Sequence, residues 1–164
     1  MQLKLQKTLI LFSILALTSC GFTLRGSASL PPELQTIVLA SSDSSNETLR
    51  LLRRALTANN VTVLDTVEAD SYRLVIGDEE ITERILSVNS NARAGEYELS
   101  LSIPFQLRSA DTILIEPEVL TIEKVYLADP TSAVAKAEER ELMENEMHRE
   151  LVFLILRRLQ SVTL

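Results

Sequence analysis

The segment Tyr97–Arg108, YELSLSIPFQLR, decides what kind of fold this chain makes. Tyr97, Leu99, Leu101, Ile103, Phe105 and Leu107 are apolar, and Glu98, Ser100, Ser102, Gln106 and Arg108 between them are polar. A period of two belongs to an extended strand, because successive side chains point to opposite faces of a sheet. One face of this strand is therefore dry and the other wet, as in an antiparallel sheet covered on a single side. Pro104 falls on the polar face and has no N–H for a ladder, which predicts an edge position or a bulge there.

Working outward, Ser71–Ser90 (SYRLVIGDEEITERILSVNS) is a second long strand, with a kink expected near Gly77. Asn91–Gly95 (NARAG) is the turn between the two. Ser109–Thr112 (SADT) is the next turn, and Ile113–Leu127 the next strand, interrupted by Pro117. Upstream, Leu34–Ala40 (LQTIVLA) and Val61–Leu64 (VTVL) are short β-branched strands. Between them Ser44, followed by Glu47 three residues on, forms a capping box for a helix that runs to Ala58. Leu49, Leu52, Ala55 and Leu56 make its apolar stripe, Arg50, Arg53 and Arg54 its wet side, and Asn59-Asn60 suits a left-handed stop.

Downstream, Ala128–Ala133 (ADPTSA) ends the last strand and opens a second helix, with Asp129 or Thr131 as cap and Pro130 in the first turn. That helix is expected to continue to Gln160, with Met143, Met147, Leu151, Leu154 and Ile155 toward the sheet. Leu151–Leu156 (LVFLIL) is apolar nearly all round but far short of the roughly 20 residues a membrane span needs. It is expected to be the most deeply buried part of the helix. The order β-α-β-β-β-β-α predicts an α+β two-layer sandwich, a mostly antiparallel or mixed sheet with both helices on one face.

The first residues belong to a different kind of segment. Lys4 and Lys7 precede the apolar run Thr8–Leu17, and Leu17-Thr18-Ser19-Cys20 follows. A basic start, a short apolar stretch and a small-residue end make a secretory signal. The ending resembles the bacterial lipobox, in which the cysteine sulfur accepts diacylglycerol, cleavage falls before it and the new N-terminus is acylated. Cys20 is the single cysteine of the chain, so only it can serve as the acceptor and it can make no internal disulfide. By the same resemblance Gly21, in the place where Asp retains a lipoprotein at the inner membrane, directs the chain to the outer membrane. The expected layout is residues 1–19 signal peptide, 20–32 lipidated N-terminus and linker, and 33–164 a single domain. Removing residues 1–19 leaves 14 basic against 23 acidic residues, a net charge of −9. Such a chain is not a general nucleic-acid binder. Acyl chains contribute about 0.8 kcal/mol per buried CH₂, so three of them anchor durably.

No catalytic constellation stands out. His148, the single histidine, shares a helix face with Glu144 and is read as half of a solvated pair. Asp78-Glu79-Glu80 and Glu138-Glu139 are read as solvated charge, because adjacent residues on a strand or helix point apart. Nucleophile-elbow, zinc-protease, dithiol and phosphate-loop motifs are absent from the sequence. The expectation is therefore a non-enzyme with no catalytic residue, metal or cofactor other than the lipid on Cys20.

Several pieces in order resemble the LPS-assembly lipoprotein family (LptE). They are CGFTLRG at Cys20–Gly26, the Leu-rich helix with its arginine pair, NNVTVLD at Asn59–Asp65, Ser87-Val88 followed by AGEYEL up to Leu99, and the run from Ala128-Asp129-Pro130 through VAKAEERELMENEM to Met147. The resemblance implies a mixed sheet backed by two helices, in agreement with the reading above. It implies a lipoprotein seated as a 1:1 plug in the lumen of a large outer-membrane β-barrel, the lipopolysaccharide translocon, whose assembly it assists. It further implies that the pair inserts lipopolysaccharide into the outer leaflet, the lipoprotein facing the periplasm and the barrel lumen. The family's contact with lipopolysaccharide runs through basic residues near one end of the sandwich. Lys136 matches one of them. The second column holds Ser90 here, a departure, and Arg93 in the same turn is the substitute. The plainer alternative leaves both as solvated charges, with Lys136 paired to acidic neighbours of Arg140. A stand-alone periplasmic lipoprotein that carries or senses a lipid is the other functional reading.

Overall fold

A computed structural model describes residues 30–43, 45–66, 71–88, 90, 94–110, 112–127 and 132–163. The signal segment, Cys20, Ser44, Arg93 and the stretch from Ala128 to Thr131 lie outside the described residues.

After a 3₁₀ turn at Pro32–Gln35 come β1 (Thr36–Ser41), α1 (Glu47–Ala58), β2 (Thr62–Leu64), β3 (Tyr72–Ile76), β4 (Glu80–Val88), β5 (Ala94–Ser109), β6 (Thr112–Leu127) and α2 (Ala133–Gln160). The alternating segment is the heart of β5, and β5 is the spine of the sheet. β6 runs antiparallel along one side of it, from Glu96↔Leu127 to Ser109↔Thr112. β3 and β4 share the other side end to end, both antiparallel to β5. β1 pairs parallel with β3, and β2 parallel with β1, so the sheet is mixed. Leu99, Leu101, Ile103, Phe105 and Leu107 are buried beneath the helices, together with Leu52 and Leu56 of α1 and Met147, Leu151, Ile155 and Leu159 of α2. The architecture is the expected α+β sandwich.

The kink lies where Gly77 predicts, and its cause is steric. Between the pairs Ile76↔Phe105 and Glu80↔Ser102, the residues Gly77, Asp78 and Glu79 face only Ile103 and Pro104. One extra residue makes a bulge, so the single strand expected over Ser71–Ser90 is two. The Gly77 N–H donates to the Pro104 carbonyl at 2.8 Å. A Cβ on Gly77 would lie 2.5 Å from Pro104 Cγ. Pro104 is thus not on an edge strand. It sits inside the sheet, where the neighbouring lane is bulged and the missing N–H is tolerated.

Other boundaries are corrected. Leu34 belongs to the 3₁₀ turn, fully buried, rather than to a strand. α1 is capped by Asn46, whose Oδ1 accepts from the Leu49 N–H at 3.0 Å, and not by Ser44. The helix starts at Glu47, so Asn46 is the residue just before its first turn, the place from which a side-chain oxygen reaches the N3 N–H. Ser132 caps α2, accepting from the Ala135 N–H at 3.2 Å, rather than Asp129 or Thr131. Asn60 is left-handed, with φ 61°, as the helix stop requires. Phe153, inside the apolar run LVFLIL, is 59% exposed while Leu151, Val152, Ile155 and Leu156 are buried. The run is still amphipathic at helical spacing. Among the described residues no helix is long and apolar enough to cross a membrane.

Candidate ligand-contact site

In the sequence EITERIL of β4, Ile81, Glu83 and Ile85 share one face, and register places them opposite Leu101, Leu99 and Tyr97, on the helix side. Glu83 is therefore a carboxylate on an apolar face, and such a group needs donors. It has them. Lys136, in the first turn of α2, donates from Nζ to Glu83 Oε1 at 2.7 Å. The Tyr126 hydroxyl donates to Glu83 Oε2 at 2.7 Å. Arg140, one helical turn beyond Lys136, lies 3.9 Å from Oε2 through Nη1 and holds Glu144 through Nε at 2.7 Å. Burial pushes the Glu83 carboxyl up, but the hydrogen bonds from Lys136 and Tyr126 outweigh it and hold it below the usual carboxylate value. The same bond to Glu83 raises Lys136 against some desolvation, so Lys136 stays a cation. Burial, then Glu83, push the Tyr126 hydroxyl well up.

Tyr97 and Tyr126 are register partners on β5 and β6, and their rings stack with centroids 5.4 Å apart. The Lys136 ammonium sits 3.6 Å from the centroid of Tyr97, a cation–π contact. The end of the sandwich that carries this platform also exposes Ile85, Val88, Val125, Leu127 and Val134. The arrangement is a fixed cation on an aromatic floor, with large apolar side chains exposed at the same end.

Of the residues expected to contact a ligand, Lys136 is therefore placed and is neither a solvated charge nor paired only along its own helix. Ser90 is described and exposed in the turn after β4. Glu83, Tyr97 and Tyr126 were not singled out as site residues. The signal was present: Glu83 interrupts an otherwise apolar alternation in ITERIL.

His148 corrects a second expectation. It is 5% exposed, not solvated, and its side-chain partner is not the Glu144 carboxylate. Its Nε2 lies 2.8 Å from Glu79 Oε1, in the bulge between β3 and β4. Glu79 Oε2 accepts from the Thr48 hydroxyl of α1 at 2.6 Å. The bulge re-aims Glu79 inward, away from its run with Asp78 and Glu80, and one carboxylate joins both helices to the sheet. The bond to Glu79 raises the His148 pKa despite burial. Burial raises Glu79, but His148 and Thr48 outweigh it and the net shift is downward. His148 Nδ1 has no hydrogen-bond partner among the described residues. A carboxylate held by an imidazole and a hydroxyl binds elements together. Among the described residues no three His, Cys, Asp or Glu side chains converge to hold a metal.

The fold and its lipoprotein neighbours define a class. The crystal structure of rare lipoprotein B from Shewanella oneidensis is 29% identical, with a TM-score of 0.71 over 77% of this chain and 94% of that one. A solution structure of lipoprotein B from Nitrosomonas europaea shares the fold at 23% identity, TM-score 0.71, over 86% of this chain and 91% of that one. The LPS-assembly lipoprotein LptE of Photorhabdus laumondii is 31% identical over 156 residues, 94% of this chain and 85% of its own. That of Yersinia pestis is 33% identical over 158 residues, 94% and 75%. The sequence pattern of the lipopolysaccharide-assembly (LptE) family matches residues 34–159, and the chain belongs to that family.

Proposed function

We propose that this protein is an outer-membrane lipoprotein anchored through acyl groups on Cys20, that it plugs and helps assemble the β-barrel lipopolysaccharide translocon as a 1:1 partner, and that it contacts lipopolysaccharide at the Lys136 end of the sandwich. It acts without catalysis. The observation that carries the ligand reading is the Lys136 platform: a cation held by Glu83 on the Tyr97–Tyr126 stack, at an end with exposed apolar side chains. A phosphorylated, acylated amphiphile presents the complementary pair of surfaces. Arg93 would add a second cation from the turn after β4. The acidic, polar domain suits a water-filled barrel lumen, and large barrels hold such plugs.

The test is recovery of the tagged full-length protein from detergent-solubilised outer membranes, with the mass of its N-terminal peptide. A large barrel is expected to co-purify, and the peptide to start at Cys20 carrying its lipid. Recovery alone, or an unlipidated start at another residue, would overturn the plug reading. For the contact itself, Lys136→Glu sets a second carboxylate against Glu83. The cleaner variant is Lys136→Met with Glu83→Gln, which keeps the stem over Tyr97 and leaves no unpaired buried charge. Measured against Glu83→Gln alone, about tenfold weaker lipopolysaccharide binding is expected; affinity equal to that of Glu83→Gln removes Lys136 from the site.

A further inference from the structure

The face of the sheet turned away from the helices carries a second feature. Arg73 on β3 and Arg108 on β5 are register partners. Their parity matches Glu98, Ser100 and Ser102, so both lie on the open face. Side chains directly opposite on antiparallel strands have Cβ atoms about 5 Å apart, and like charges there are destabilising. In a chain with net charge −7, carboxylates to separate such a pair are plentiful, yet none of the described residues does. Among the described residues neither arginine forms an ion pair. Arg108 donates only to the Ala110 carbonyl at 3.0 Å, and the Arg73 Nε is buried with no acceptor. Among the described residues, Asp65 holds Arg53 at 2.9 Å and Glu118 holds Arg158 at 2.9 Å. Glu116 on β6 is exposed and pairs with neither arginine.

One step along the same face the partners are Val75 and Gln106, and beside them lies an open depression of about 150 Å³. Val75, Gly77, Pro104 and Pro117 give it an almost wholly apolar wall. Val38, the β1 partner of Arg73, is only 2% exposed. An unmet dication therefore adjoins a small apolar dent. It is separate from the Lys136 platform: Tyr97 and Arg108 are eleven residues apart on β5, about 36 Å at the rise of a strand.

We propose that Arg73 and Arg108 together bind the phosphate monoester of an anionic amphiphile, whose apolar part enters the Val75–Pro104–Pro117 depression. Two planar guanidinium forks in register can each give paired N–H bonds to one phosphate, which a single lysine cannot. The bound anion removes the repulsion between them. A carboxylate on the enclosing barrel offers fewer oxygens and no use for the dent, so the protein-partner alternative is the weaker fit. The site does not depend on any ligand at Lys136.

The test uses the full-length lipoprotein in dodecyl maltoside micelles, ¹⁵N-labelled. Arg73→Lys and Arg108→Lys assign the two side-chain Nε–Hε signals. Mixed micelles with phosphatidic acid are expected to move both signals and the Val75 and Gln106 amides; phosphatidylcholine is expected to move none. Inorganic phosphate is expected to move the arginine signals alone, and more weakly. Arg73→Gln with Arg108→Gln should weaken phosphatidic acid binding by tenfold or more. If that variant does not fold, the paired Lys substitutions, which keep the charge and lose the fork, should still weaken it severalfold. Lys136→Met should leave all these shifts in place, separating this site from the proposed lipopolysaccharide contact. Silence toward both anions, free phosphate binding as well as the lipid, or signals that move only when the barrel is added would each overturn the proposal.

Discussion

Glu79→Gln should destabilise the protein strongly at pH 5.5 and weakly at pH 9. His148 Nε2 and Glu79 Oε1 are 2.8 Å apart, with side chains 7% and 14% exposed, so the pair is poorly screened. The glutamine amide can still accept from Thr48, which removes the charge while sparing that bond. A hydrogen bond between charged partners contributes about 1.5–3 kcal/mol. The pH window follows from the two directions. The folded His148 pKa is raised above its ordinary 6.5, so its contribution is full below 6.5 and is lost as pH rises through the folded value. The folded Glu79 pKa is lowered from 4.5, so its contribution is present above 4.5 and is lost as pH falls through the folded value. Stabilisation by the pair is therefore greatest between about 4.5 and 6.5. Urea unfolding of wild type and variant at pH 5.5 and pH 9 reads the difference directly. A loss of about 2 kcal/mol at pH 5.5 that shrinks to under 1 at pH 9 is expected. An equal loss at both would mean that His148 is neutral in the fold and that only packing holds it.

Gly77→Ala should cost about 1–3 kcal/mol by overpacking, because its Cβ would meet Pro104 Cγ at 2.5 Å. Most of that loss should return in Gly77→Ala with Pro104→Ala; urea midpoints that add without recovery would place the strain elsewhere. Asn46→Ala removes the cap on Leu49 and should cost about 1 kcal/mol. Ser44→Ala, at the position first expected to cap, should cost less than half of that, and thermal unfolding of the two variants decides between them.

The parts of the fold legible in the sequence were those fixed by local pattern. The period of two in β5 and the heptad-like leucines of α1 survive because burial of one face is what forms them. Asn60 needed only its own backbone preference. What the sequence hid was created by register. Nothing in Asp78-Glu79-Glu80 tells that an extra residue opposite Pro104 turns the middle carboxylate inward toward His148, and a histidine in EMHRE looks wet until a sheet bulge covers it. Lys136 met the same fate: its partner Glu83 lies 53 positions away and becomes a neighbour only when β4 pairs with β5. Pro104 left an edge and a bulge both open, and only the register shows that the adjacent lane is bulged. The open-face arginines were invisible for the same reason, since their pairing is a property of the β3–β5 register.

The ion pair at Glu83 sets the sign of one last effect. Lys136 and Arg140 are offset by Glu83 and Glu144, so the platform carries no net charge. An anionic amphiphile arriving there must share Lys136 with a carboxylate whose pKa is already lowered by that very bond. Glu83 is only 21% exposed, and it cannot swing into bulk water while Tyr126 holds its other oxygen at 2.7 Å. On the proposed function, then, Glu83 both positions the ammonium over Tyr97 and opposes the ligand. Glu83→Gln separates these roles, since the amide oxygen can still accept from Lys136 while the negative charge is gone. One unit charge near the surface, at an effective dielectric well above that of a dry interior and screened by salt, is worth about 1 kcal/mol to an anion several ångströms away. Lipopolysaccharide affinity should therefore rise about fivefold, and the rise should shrink at 0.5 M salt. Affinity that falls instead would show that positioning dominates and that a carboxylate, not merely an acceptor, is needed to hold Lys136 on the tyrosine floor.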